Sequence, residues 1–150
     1  MTTRREMMKA ILAGSTAFAA ASVFASAQSE LAIAAESGGD KGVTVTPVFE
    51  HALADFPGHK AVVVKVDYAP GTASSAHHHP GSVFGYVLDG EIESANGSDA
   101  PVTYKRGQMW YEMPASVHRV SRNASASKPA SLLAFLIVPD GQAPTTFERT

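Results

Sequence analysis

The residues best suited to chemistry are three consecutive imidazoles, His77, His78 and His79, and a fourth at His118. A neutral imidazole nitrogen is a borderline-soft donor. It suits Fe, Ni, Cu and Zn, and Mn when a carboxylate joins it. In an extended chain successive side chains point to opposite faces, so His77 and His79 share a face and His78 points away, with no role assigned to it. Two residues on one face stand about 6 to 7 Å apart along a strand, close enough to converge on one ion. His118 lies in a later segment with its own glycine and proline punctuation, and can add a distant third ligand. His51 and His59 fall in a stretch read as a loop and are assigned to the surface.

Short strands must position these groups. Val43–Glu50 is β-branched, with Pro47 placing it at a sheet edge. Residues 51–60 read as a loop around Phe56, Pro57 and Gly58. Ala61–Tyr68 carries the strongest alternation, with Val62, Val64, Val66 and Tyr68 on one face and Val63, Lys65 and Asp67 on the other. Pro70 and Gly71 turn the chain into the histidine segment, Phe84–Leu88 follows, and Asp89-Gly90 signals a hairpin into Glu91–Glu93. Further strands are expected over 102–104, 108–112, 117–121 and 132–138. Strands recurring every 8 to 12 residues or so, with no helical period, argue an all-β sandwich or barrel. The polar tail from Pro139 is expected to wrap the surface or a partner subunit.

The histidine spacing resembles the cupin family. Gly71, His77, His79 and Gly90 fit its first motif, and Gly107, His118 and Asn123 its second, with the asparagine one residue late. The resemblance spans about residues 60–138 and implies an all-β fold, a single cupin-type β-barrel (double-stranded β-helix, jelly roll). It also implies that His77, His79 and His118 ligate a divalent metal ion (Fe, Ni, Cu, Zn or Mn). The sequence departs from the pattern in two places. Val83 stands where the first motif has a glutamate, and Met113 and Ala115 replace the proline and glycine of the second, with Pro114 adjacent. Valine cannot coordinate. Three outcomes stay open: a neutral three-histidine face with free positions, as in the three-histidine branch of cupin dioxygenases; a degenerate site; or a carboxylate from Glu112. The last lies across a turn from His118, so parity cannot settle its direction. Phe84, Tyr86, Met109, Trp110, Tyr111 and Met113 supply aromatic and thioether surface near the motifs, with core packing as their default role. Tyr86, Tyr111 and Glu112 are the candidate catalytic residues, the tyrosines as hydrogen-bonding or proton-donating groups.

The first 27 residues have the form of an export signal. A charged segment with Arg4, Arg5 and Lys9 precedes a weakly apolar run, Ala10–Ala25, and Ala25-Ser26-Ala27 is a small-x-small cleavage site. The run is shorter than the roughly 20 residues needed to span a bilayer, which argues against a stable membrane anchor. The paired arginines resemble the twin-arginine signal. The expected organisation is a signal over 1–27, a flexible leader over 28–42, a cupin domain over 43–138 and a tail over 139–150, in a periplasmic or secreted protein. Losing Arg4, Arg5, Lys9 and Glu6 takes the net charge from −2 to −4, which gives no support for a nucleic-acid partner. The absence of cysteine excludes disulfides, thiolate ligands and a cysteine nucleophile. The expected partners are a small-molecule ligand or substrate and a second copy in a homodimer, paired through the edge strand at Val43–Glu50. An enzyme of this kind could be a dioxygenase or related oxidoreductase, or an isomerase or lyase, acting on a small organic molecule. The alternatives are a non-catalytic periplasmic module that binds a small ligand or metal, and a structural protein whose barrel is filled by side chains.

Overall fold

The computed structural model describes residues 40–149. The signal read over 1–27, and the leader as far as residue 39, lie outside the described residues. Among the described residues ten strands follow one another: β1 (Val43–Ala52), β2 (His59–Tyr68), β3 (His77–His78), β4 (Val83–Asp89), β5 (Glu91–Asn96), β6 (Val102–Lys105), β7 (Met109–Glu112), β8 (Val117–Asn123), β9 (Ala130–Pro139) and β10 (Thr146–Phe147). They form two five-stranded antiparallel sheets, ordered β1-β2-β9-β4-β7 and β10-β3-β8-β5-β6. This is the cupin-type double-stranded β-helix, all-β as the strand pattern implied.

The stretch expected to be a loop, 51–60, is a shorter turn, with four of its ten residues taken up by strand. His51 and Ala52 end β1, and His59 and Lys60 begin β2, leaving only 53–58 to turn. The β1–β2 ladder continues through His51 opposite Ala61 and Ala52 opposite Lys60, and nearby His51 stacks on Phe49 and His59 lies flat on Phe56 with centroids 3.7 Å apart.

The inner face of the first sheet is built from cross-strand rows. Val62, Leu136, Val83 and Glu112 are register partners on β2, β9, β4 and β7, with Glu50 of β1 opposite Val62. The next row is Pro47, Val64, Ala134, Gly85 and Trp110, and beyond it lie Val66, Leu132 and Val87. Val62, Val83, Val87, Ile92 and Val138 are fully buried. Such rows hold because inward side chains recur every second residue, so one residue of slip would turn a whole strand inside out.

Two bulges alter that parity where it matters. Val48 is an extra residue in β1, so Pro47 and Glu50 both face in while Phe49 is exposed. Arg119 is the extra residue in β8, since Asn96 pairs with His118 but Ala95 with Val120. His118, Ser121 and Asn123 are therefore all buried. Arg119 itself points out and donates to the Gly97 and Asp99 carbonyls.

Turn chemistry fixes the remaining corners. Gly90 ends the β4–β5 hairpin at φ +72°, and a Cβ there would meet the Pro129 carbonyl oxygen at 2.7 Å. Asn123 ties its loop by donating to the Ala69 and Lys128 carbonyls and accepting from the Ser125 N–H. Between β7 and β8, the Ala115 N–H donates to the His79 carbonyl at 2.8 Å, so this turn holds one end of the histidine segment. Ala115 adopts φ +60° at the position where the resembled motif carries glycine. The left-handed region costs an L-residue about 1 to 2 kcal/mol, and the extra freedom of an unfolded glycine offsets about 0.5 to 1. Ala115→Gly is therefore expected to stabilise the protein by about 0.5 to 1 kcal/mol. A lower urea midpoint for the variant would contradict this.

Candidate metal centre

His77 lies in β3 opposite His118 of β8, and His79 follows just beyond β3. All three are buried, and each offers a ring nitrogen within 4.8 Å of the other two. The alternation expected of the triplet holds although the strand is only two residues long. His78 points outward and meets Glu148 at 2.7 Å.

Each imidazole is gripped from behind. His77 Nδ1 donates to the Ser75 carbonyl and His79 Nδ1 to the Pro144 carbonyl, both at 2.7 Å. Placing the proton on Nδ1 leaves Nε2 as a bare lone pair. Ser75 is itself anchored, its N–H and hydroxyl both donating to the Asp40 carboxylate. His118 is held by the Ser94 hydroxyl, 2.8 Å from Nε2, and turns Nδ1 toward Glu112 at 3.2 Å.

Glu112 reaches the site through strict alternation along β7, which buries Trp110 and Glu112 and exposes Met109 and Tyr111. Its register partner on β4 is Val83. The carboxylate missing from position 83 thus projects from the facing position on the neighbouring strand. Oε1 accepts from Trp110 Nε1 at 2.8 Å. Oε2 is buried, has no hydrogen-bond partner, and stands 3.8 Å from His79 Nε2. Gly85 makes room for the indole that holds this carboxylate, because a Cβ at 85 would lie 2.4 Å from ring carbons of Trp110.

Burial sets the protonation of the group. It lowers His79 to about 4 and His118 to about 3, and it lowers His77 as well. It raises Glu112 to about 7, with the Trp110 hydrogen bond opposing. The residues fit a divalent ion. Neutral imidazole is the ligating form, and the unpartnered Glu112 oxygen would gain the cation it lacks.

The four residues line a cavity of about 350 Å³ between the sheets. Its walls are mainly apolar, from Val62, Val64, Ala134, Leu136 and Trp110. Two polar features interrupt them. Tyr68 hydroxyl joins Ser74 and Ser121 at 2.9 and 2.8 Å, and Lys60 pairs with Glu50 at 2.8 Å. An open interior of this kind is not the filled barrel expected of a purely structural protein.

The structure separates the candidate catalytic residues. Glu112 joins the histidines. Tyr86 and Tyr111 stand on the outer face of the first sheet, 41% and 49% exposed, and neither lines the cavity. Phe84 lies beside Tyr111 on that face, and Met109 and Met113 are exposed, so of the six pocket-wall residues only Trp110 faces in. The sequence reading did not single out Tyr68, Lys60, Glu50, Ser94 or the tail residues. Lys60 and Tyr68 share the inward parity of Val62, Val64 and Val66, which was a usable signal. Nothing local marks Pro144.

Residues 64–136 match the family model of the cupin domain. Solved structures similar to this chain agree on the fold. A conserved double-stranded β-helix protein of Klebsiella pneumoniae is 22% identical with a TM-score of 0.57, over 73% of this chain and 87% of its own. An oxalate oxidase in complex with the substrate analogue glycolate is 19% identical at TM-score 0.55, over 71% and 55%. A DMSP lyase of Ruegeria pomeroyi is 18% identical at TM-score 0.51, over 58% and 42%. This chain thus spans about half the length of the two enzymes or less. No curated protein matches the sequence.

The shifts above imply a pH dependence for the metal-free protein. Histidines with folded values below their ordinary 6.5 take up protons first in the unfolded chain, so their stability is lost as pH falls from 6.5 through about 4 for His79 and about 3 for His118. Glu112, raised from 4.5 to about 7, acts oppositely: its contribution is present below 4.5 and lost as pH rises through 7. Three groups outweigh one. The urea midpoint of metal-stripped protein is expected to fall between pH 6.5 and 4. A midpoint that stays level or rises over that window would contradict the arrangement.

Proposed function

We propose that this protein is an exported, metal-dependent cupin oxidoreductase acting on a small, largely apolar organic molecule. His77, His79 and His118 hold a divalent ion, with Glu112 as the fourth ligand. The observation that carries this reading is the buried, unpartnered Glu112 oxygen set against three neutral, back-anchored imidazoles. A divalent ion bound there supplies Lewis-acid or redox chemistry. The chain's own residues bind and orient. The valine and leucine walls exclude water from the reacting end of the ligand. Tyr68 offers a buried hydroxyl, and Lys60, with two donors not used by Glu50, can anchor an acceptor oxygen at the other end.

One observation favours the non-catalytic binding module instead. Among the described residues, the only carboxylate lining the cavity apart from Glu112 is Glu50, and it is paired with Lys60. No second carboxylate on the described cavity wall is left unpaired to move protons. That module would be stabilised by its ligand without turnover.

Elemental analysis of the purified protein tests the proposal. About one divalent ion per chain is expected, lost in His77→Ala and His118→Ala, and bound about tenfold or more weakly in Glu112→Gln. Variants that retain wild-type metal would sink the metal reading. Metal retained with no oxygen uptake or product from a panel of small organic substrates would favour the binding module.

A further inference from the structure

The segment that follows β9 does more than cover the surface. After Pro139 the chain turns back and lays β10 against β3, with Thr146 opposite His78 and Phe147 opposite His77. The Pro144 carbonyl accepts a hydrogen bond from His79 Nδ1–H at 2.7 Å. The Phe147 ring packs 5.7 Å from the His77 ring, centroid to centroid. Glu148 closes the segment, its N–H donating to the Ala76 carbonyl at 2.9 Å and its carboxylate meeting His78 at 2.7 Å. One short stretch therefore touches all three consecutive histidines. Ala143, Pro144, Thr145 and Phe147 also form part of the cavity wall.

Two features make this stretch a positioning device and not a fixed part of the barrel. Its ladder is only two residues long, so few backbone bonds oppose its release. Two of its contacts, Pro144 with His79 and Phe147 with His77, run to the imidazoles themselves. A hydrogen bond behind a ligating histidine fixes which ring nitrogen faces the metal and how the ring is turned, and losing such a partner typically weakens metal binding about 10- to 100-fold. Coupling of this kind is reciprocal: whatever the docked segment adds to metal affinity, bound metal must return to docking.

We propose that residues 143–148 form a strap whose docking and metal binding are coupled, with Pro144 and Phe147 as positioning residues for His79 and His77. This rests on the metal reading above. The test uses the full chain with Co²⁺ as the probe. Hydrogen exchange at the Glu148 amide is expected to slow when Co²⁺ is added. Co²⁺ affinity, measured by chelator competition, is expected to drop about 10- to 100-fold in Phe147→Ala/Glu148→Ala. Phe147→Leu should restore most of the affinity when Glu148 is kept, and Phe135→Ala, on the outer face, should change nothing. If the double variant does not fold, exchange in the intact chain still decides. Tight Co²⁺ binding with an unchanged Glu148 amide and an unaffected double variant would overturn the strap and leave the metal reading standing. An intact chain that binds no Co²⁺ would overturn both.

Discussion

A carboxylate oxygen buried without a hydrogen-bond partner is the constraint on which this structure turns. Leaving such a group unsatisfied costs about 1 to 3 kcal/mol, and more when it is charged. The fold nonetheless holds Glu112 in place from three sides: β7 alternation turns it inward, Trp110 takes one oxygen, and Gly85 gives the indole its space. The three imidazoles facing it are buried and neutral, with their outer nitrogens tied to Ser75, Pro144 and Ser94. Each half of the arrangement is unfavourable alone. Together they form a donor set that a divalent cation would satisfy.

The barrel serves that set through register. Glu50, Val62, Leu136, Val83 and Glu112 form one inward row across all five strands of the first sheet. Its two ends carry its only charges, and its middle is aliphatic. Neighbouring strands lie about 4.8 Å apart, so Glu50 with its partner Lys60 and the histidine cluster occupy opposite sides of the cavity. Bulges at Val48 and Arg119 set which residues enter: without them Phe49 would replace Glu50 inside, and His118 and Ser121 would fall on opposite faces.

Much of this was legible in the sequence because it depends on local parity. His77 and His79 share a face by alternation, and the valine stripe of β2 marks an inner wall. What failed was non-local. Val83 showed that a carboxylate was missing, but only the β4–β7 pairing shows that Glu112 stands opposite it. Parity from His118 could not reach Glu112 across the turn at 113–116. Read from Trp110 instead, it would have placed Glu112 inside and Tyr111 outside. The tail gave no signal, because a proline carbonyl and a two-residue strand leave no pattern in composition. The loop expected over 51–60 is shorter because β1–β2 pairing, a non-local contact, runs on to Ala52 and Lys60.

The central claim is that Glu112, and not a residue at position 83, completes the metal site. Anomalous diffraction from crystals soaked in Co²⁺ or Zn²⁺ tests it most directly. The account predicts a single strong peak about 2.0 to 2.2 Å from one nitrogen each of His77, His79 and His118 and from a Glu112 oxygen. A peak outside the cavity, or one bound by the histidines with Glu112 turned away, would contradict it.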